Sequence, residues 1–284
     1  MELYTSLLSE RNAPVPLMDR FSLNQKTTIA WTLREAAEAC AHHGFKWIGP
    51  RIDSLRKTGL TESVKIFDDC GLQISSVCFS GRFVSADADE RQNRIDECLR
   101  AIDDTAAIDG NVLVIVPGTD AGCSAEECRA IISEGITRVL PHAEKNGVVL
   151  GLEPLHPIYA ADLSIIVTLD EALDIVDRFD SSQLKVIVDV FHTWWNPEVF
   201  DQIQRAKGRI AGYHVSDWVP VKFGINSSRG MMGDGMIPLR RMRTAVEGAG
   251  YFGPIEVEIF NEDLWRMPCE EVLEICRERF ERFV

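Results

Sequence analysis

Lys185-Val-Ile-Val-Asp189-Val-Phe-His192-Thr-Trp194-Trp195 is the stretch on which the fold turns. Val186, Ile187 and Val188 make a branched, nearly continuous apolar run, the composition of a strand buried on both faces of a parallel sheet. Asp189 ends that run abruptly. A carboxylate there either caps the next segment or projects into a site at the C-terminal edge of the sheet, and His192 is near enough to serve the same site.

Working outward, the same strand-then-helix rhythm recurs along the chain. After a polar leader containing Pro14 and Pro16, strands are expected at Phe21 to Gln25, Phe45 to Gly49, Leu72 to Phe79, Asn111 to Val116, Val148 to Leu152, Ile210 to Val215 and Ile255 to Ile259. Three serine/threonine caps with a glutamate three residues later, at Thr32, Ser124 and Thr168, head helices; Gly44, Gly71 and Gly147 end them. One helix is expected from Arg51 to Gly71, and others begin at Pro197 and Pro238. Eight strand and helix pairs in 284 residues give a repeat of about 35 residues, a comfortable βα unit. No linker or composition shift divides the chain, and Phe21 to Thr28 lacks the glycine turn of a dinucleotide-binding sheet. The expectation is one domain over residues 1–284, an α/β fold of the single (β/α)8 TIM-barrel type.

Composition narrows the function classes. A formal charge of −14 and a pI near 4.9 set the surface against phosphate backbones, so a nucleic-acid partner is disfavoured. Eight cysteines occur without a Cys-x-x-Cys pair, which is neither zinc-ribbon nor redox spacing. The N-terminus lacks a cationic start with a long apolar core, and no run approaches the ~20 apolar residues of a membrane span. A reduced, cytoplasmic protein with no membrane partner is expected.

In a (β/α)8 barrel, functional groups collect where strands end and βα loops begin. Glu153, Asp189, His214 and Glu258 meet that rule, separated by 36, 25 and 44 residues, about one βα unit per step. Four consecutive strands therefore bring three carboxylates and one imidazole together. Unpartnered acids in one place repel unless they share a proton or a cation. One divalent metal ion resolves the conflict, and this mostly oxygen donor set suits Mn2+ or Mg2+, with Co2+ or Zn2+ also open. Singly, each residue has a plainer reading: Asp189 as a helix cap, Glu258 as a rim ion pair, His214 as a core histidine, Glu153 as a loop-ordering acid.

Together, Glu153-Pro-Leu, Asp189-x-x-His192, His214-x-Ser-Asp217, Arg229-Gly-x-x-Gly-x-Gly235 and the terminal Glu258 resemble the xylose-isomerase-like TIM-barrel superfamily. That superfamily includes ketose 3-epimerases, hydroxypyruvate isomerase, inosose isomerase and dehydratase, and endonuclease IV. The resemblance implies a metal held by Glu153, Asp189, His214 and Glu258, with Glu153 and Glu258 as the catalytic proton-transfer pair. It also implies that His192 and Arg229 hold substrate oxygens. The chemistry agrees: a cation on a carbonyl and its neighbouring hydroxyl acidifies the carbon-bound proton and stabilises a cis-enediolate.

One departure bears on the substrate. Ketose 3-epimerases carry a second glutamate six residues after the ligand on the fifth strand, and Tyr159 stands there in this chain. His156 lies on the same altered loop, placed to reach the site. An insertion from Trp218 to Ser228 reshapes the mouth, and Trp194 and Trp218 are aromatic candidates for the apolar face of a sugar. Gly230 to Gly235 reads as a pliable cover, and Arg51 and Arg82 as rim cations. The function expected is an isomerase or epimerase of a small keto-sugar or polyol-type substrate. A metal-dependent lyase or dehydratase is the alternative, and an endonuclease IV-like phosphoesterase a distant third. Assembly as a homodimer or homotetramer is left open.

Overall fold

The computed structural model describes residues 15–284, and the leader through Pro14 lies outside it. The chain is a single (β/α)8 barrel. Its strands are β1 (Phe21–Asn24), β2 (Trp47–Gly49), β3 (Gln73–Ile74), β4 (Val77–Gly81), β5 (Val112–Val116), β6 (Val149–Leu152), β7 (Leu184–Asp189), β8 (Ile210–Val215) and β11 (Ile255–Val257). All pair in parallel, in the order β3-β2-β1-β11-β8-β7-β6-β5-β4. A parallel bridge from Arg51 to Cys78, with the Cys78 amide donating to the Pro50 carbonyl at 3.2 Å, closes β2 onto β4. A short antiparallel pair, β9 (Asp217–Trp218) and β10 (Arg229–Gly230), stands on the rim.

The expected third strand, Leu72 to Phe79, is interrupted at Ser75 and Ser76, whose hydroxyls turn to buried acceptors in the barrel. The helix expected from Arg51 to Gly71 is two helices, Ile52–Thr58 and Leu60–Cys70, because Gly59 adopts φ +88° between them. The helix expected from Pro197 starts at Val199. All three capping boxes form, at Thr32, Ser124 and Thr168.

The main core lies between the strands and the surrounding helices; a smaller cluster of Cys78, Val112, Val114 and Ile187 sits apart from it. A Cβ at Gly151 would lie 2.5 Å from Ile187 Cδ1, and one at Gly212 2.8 Å from the same atom, so glycine leaves room for that side chain inside the barrel. Strand side chains alternate with period two. Gly151, Ile187 and Gly212 therefore fix the inward register, and two residues further on Glu153, Asp189 and His214 face inward at the C-terminal end. Strand pairing sets Asp189 beside His214 and His214 beside Glu256.

Candidate active site

The three acids and the imidazole singled out in the sequence come together. One donor atom from each of Glu153, Asp189, His214 and Glu258 lies within 4.8 Å of the others, and all four side chains are buried. Asp189 does both things open to it: Oδ1 accepts the Phe191 amide at 2.8 Å, capping the short helix Val190–Thr193, while Oδ2 faces the cluster. His214 presents Nδ1 to Glu153 Oε1 at 3.6 Å and to Glu258 Oε2 at 3.7 Å.

Electrostatics divide the acids. Burial, then the charge of Glu258, pushes the Glu153 carboxyl up to about 8. Burial likewise raises Asp189, to about 6, against the pull of Arg229. For Glu258 burial is overcome by Arg229 and His214, which hold it well below the usual carboxylate range. Burial works against a charged His214, but Glu256, Glu258 and Glu153 outweigh it and raise the ring to about 10.

These residues fit a cation. Glu153 Oε1 and both ring nitrogens of His214 are buried without a hydrogen-bond partner, an arrangement that is costly unless something satisfies them. A hard divalent ion accepts carboxylate oxygens and one imidazole nitrogen at once.

Arg229 is the fixed cation of the site. Its Nη1 donates to Asp189 Oδ2 at 2.8 Å and Glu258 Oε2 at 2.9 Å, and its guanidinium lies between the rings of Phe191 and Phe260, 4.5 and 4.4 Å from their centroids. The backbone of Arg229 is tied on both sides: its amide donates to the Phe260 carbonyl at 2.9 Å, and Asn261 Nδ2 donates to its carbonyl at 2.8 Å. His192, on the short helix after β7, accepts the His156 amide at Nδ1, 3.1 Å away. A neutral ring accepting at Nδ1 carries its hydrogen on Nε2. Nε2 faces Arg229 Nη2 at 3.1 Å, and burial, reinforced by Arg229, holds His192 far below the usual range of histidine.

The remaining sequence candidates form a wall over this cluster. The Tyr159 hydroxyl donates to the Ile225 carbonyl at 3.3 Å, and its ring meets His192 edge-on. His156 does not turn its ring onto the cluster: it stacks on Trp218 at 4.5 Å and acts on His192 through its amide. Trp194 also packs against Trp218. Leu155, Tyr159 and Phe191 form one apolar patch with Trp218 and Ile225 of the insertion. Arg51 pairs with Asp53 at the surface.

Three residues around the cluster, Asn24, Cys78 and Glu256, escaped the reading of the sequence as site residues, and Asp217 was read only as part of a motif, without a role. Asn24 Nδ2 donates to both Glu256 Oε1 at 2.6 Å and Glu258 Oε1 at 3.2 Å, and the Cys78 thiol lies 3.5 Å from the same Glu258 oxygen. Glu256 is a buried acid one strand step below Glu258, and the Glu-x-Glu spacing on a strand was its available signal. The buried Asp217 carboxylate accepts the amides of Trp218, Gly233, Gly235 and Ile237 at 2.8 to 3.0 Å. A Cβ on Gly235 would overlap the Trp218 carbonyl. The glycine run expected to be a pliable cover is thus pinned to β9.

A closed parallel barrel whose C-terminal rim gathers three acids and a histidine, braced by a buried arginine, defines a known class of (β/α)8 protein. The chain belongs to the xylose isomerase-like TIM barrel family, whose sequence model matches residues 37–279. It is 24% identical over 279 residues to an inosose isomerase of Bacillus velezensis, covering 93% of this chain and 97% of that one. It is 29% identical over 119 residues to a D-psicose 3-epimerase of Enterocloster bolteae, which spans 42% of this chain and 36% of the relative. Among solved structures, a protein of Sinorhizobium meliloti 1021 superposes with a TM-score of 0.90 at 38% identity, covering 94% and 98% of the two chains. The IolI protein, whose structure holds a zinc atom, superposes with a TM-score of 0.81 at 20% identity, covering 93% and 99%.

Proposed function

We propose that the chain is a divalent-metal-dependent isomerase or epimerase acting on a small keto-sugar or polyol-type ketone in the cytoplasm. The observation that carries the reading is the buried donor set of Glu153, Asp189, His214 and Glu258, three of whose atoms have no partner. The sugar isomerase and epimerase among the relatives support the same class. All eight cysteines are unpaired, which supports a reducing compartment, and no helix of the described residues is long and apolar enough to cross a membrane. When bound, Mn2+ or Mg2+ would polarise the substrate carbonyl and its adjacent hydroxyl and stabilise developing enediolate charge.

The residues divide the remaining work. Glu258, held ionised by Arg229 and His214, is the base that removes the carbon-bound proton; Glu153, the weaker acid of the pair, with a carboxyl pushed up to about 8 in the metal-free site, is the group through which a proton returns to the carbon. His192 Nε2 and Arg229 Nη2 are two donors 3.1 Å apart, and a substrate oxygen seated to one side of the pair, within reach of both, accepts from both. Tyr159, Phe191 and Trp218 exclude water above the reacting carbon.

The test is 1H/2H exchange from solvent into a panel of keto-sugars, inososes and short hydroxy-ketones with Mn2+. Glu153→Gln and Glu258→Gln are each expected to lose about 10²–10⁴-fold in exchange rate. Undiminished exchange in both variants sinks the proton relay. Tyr159, protonated and hydrogen-bonded over the site, favours a second reading: a lyase in which its hydroxyl serves a leaving group. A dehydrated or unsaturated product by mass spectrometry separates that from isomerisation.

A further inference from the structure

Below the ligand cluster lies a fourth buried acid with no place in the proton relay. Glu256 falls outside the set of donor atoms gathered within 4.8 Å, yet it is fully inside the barrel. Oε1 accepts Asn24 Nδ2 at 2.6 Å, and Oε2 accepts the Ser75 hydroxyl at 2.6 Å and the Ser76 hydroxyl at 2.8 Å. Ser22 holds Ser75 in turn, at 2.7 Å. Space for the carboxylate comes from Gly49, where a Cβ would overlap Glu256 Oε1. Five residues from β1, β2 and the break between β3 and β4 are therefore arranged around one acid. An acid kept in a barrel interior is expensive, and an apolar residue of similar size would pack there at lower desolvation cost.

The group that Glu256 faces explains its retention. Strand pairing sets Glu256 directly beside His214, and Oε2 lies 3.8 Å from His214 Nε2, in ion-pair contact and beyond hydrogen-bond length. Nε2 has no hydrogen-bond partner, and the opposite nitrogen, Nδ1, is the one turned toward Glu153 and Glu258. An imidazole that gives its Nδ1 lone pair to a cation must carry its hydrogen on Nε2. A carboxylate facing that hydrogen fixes the ring's tautomer and orientation and makes it a stronger ligand.

We infer that Glu256 is the positioning residue of the metal centre: it holds His214 with Nδ1 toward the ion, and the Asn24, Ser75, Ser76 and Gly49 cradle exists to hold Glu256. The inference rests on the metal reading above. Its test is zinc binding by calorimetry, with long-range 15N correlation of the histidine rings in zinc-loaded protein. In the wild type, His214 should show a metallated Nδ1 and a protonated Nε2. Glu256→Gln should bind zinc about 10- to 100-fold more weakly with its circular dichroism unchanged, and Glu256→Asp should recover part of the loss. Ser76→Ala, which removes one donor and leaves the acid in place, should weaken zinc about 2- to 12-fold. Wild-type protein that binds zinc while Glu256→Gln and Ser76→Ala bind it equally well overturns this inference alone. Wild-type protein that binds no divalent ion overturns the metal reading and this inference with it.

Discussion

The half of the barrel built by β6 to β11 and the half built by β1 to β5 meet at one site and contribute opposite things. From the later half come every cluster residue, the buried arginine, and the aromatic wall of Tyr159, Phe191 and Trp218. The earlier half supplies no cluster residue; it supplies Asn24, Ser75, Ser76 and Cys78, which donate to Glu256 and Glu258 from below. The two proton-transfer candidates show the consequence. Glu258, reached by Asn24 and Cys78 and paired with Arg229, is kept ionised, whereas Glu153 Oε1 has no donor and its carboxyl is raised. One half presents the chemistry and the other makes the two ends of it unequal.

The comparison breaks first at Asp189. Asp189→Asn keeps an oxygen for the Phe191 amide and removes the charge seen by Arg229 and by a cation. Metal affinity should fall more than about 100-fold, beyond the range of partners that act on ligands indirectly. A loss within tenfold would place the ion elsewhere. The wild type sharpens the same point through pH. Ligands bind metal in their deprotonated forms, and with His214 raised to about 10 and Glu153 to about 8, the metal-free site holds protons at neutral pH. Raising the pH from 6 to 8 should therefore tighten metal binding, with proton release measured by calorimetry in buffers of different ionisation enthalpy. Affinity independent of pH contradicts the assignment.

Next in size is Asp217, which belongs to the later half but acts as the supports do. Asp217→Ala frees four amides of the segment leading into and out of β10 and loosens the strand that carries Arg229. Misplacement by about 1 Å costs up to about 100-fold in kcat/KM. On the proposed reading, in which Arg229 and His192 hold substrate oxygens, that loss should fall chiefly on KM, while metal affinity holds near the wild-type value. A fall in metal affinity equal to the fall in kcat/KM would mean that the segment serves the ion instead.

The same division explains what was legible in the sequence. Glu153, Asp189, His214 and Glu258 stand at the ends of apolar runs about one βα unit apart, so hydrophobic periodicity both fixed the barrel and pointed to them. Asn24, Ser75, Ser76 and Cys78 are small or neutral polar residues in short, interrupted strands, and their meaning depends on which carboxylate lies across the barrel. That information resides in strand register and not in local composition. The Ser75-Ser76 pair shows the point: it breaks the expected strand in two because both hydroxyls serve Glu256. Gly59 divides a predicted helix for a different reason, a backbone turn at positive φ that the apolar spacing of its neighbours masked. The aromatic wall was legible as residues but not as a closed surface, because the Tyr159 to Ile225 bond joins two loops of unlike sequence.

The smallest expected effect tests the supporting half by itself. Gly49 is the wall of the Glu256 cradle, and its methyl in Gly49→Ala would meet a carboxylate oxygen held by Asn24 on one side while its twin is held by two serines. The side chain has no free direction in which to yield, so the overlap must push β2 away from β11 or break a hydrogen bond. Overpacking of this kind costs about 1–3 kcal/mol. Thermal unfolding should show that loss in metal-free protein, and zinc affinity should fall by no more than about tenfold because the ligands themselves are untouched. Pairing the change with Glu256→Gln should give less than the sum of the two separate effects, since both act on one carboxylate. Full additivity would show that Gly49 and Glu256 are independent, and that the early strands pack the barrel floor without serving the site above it.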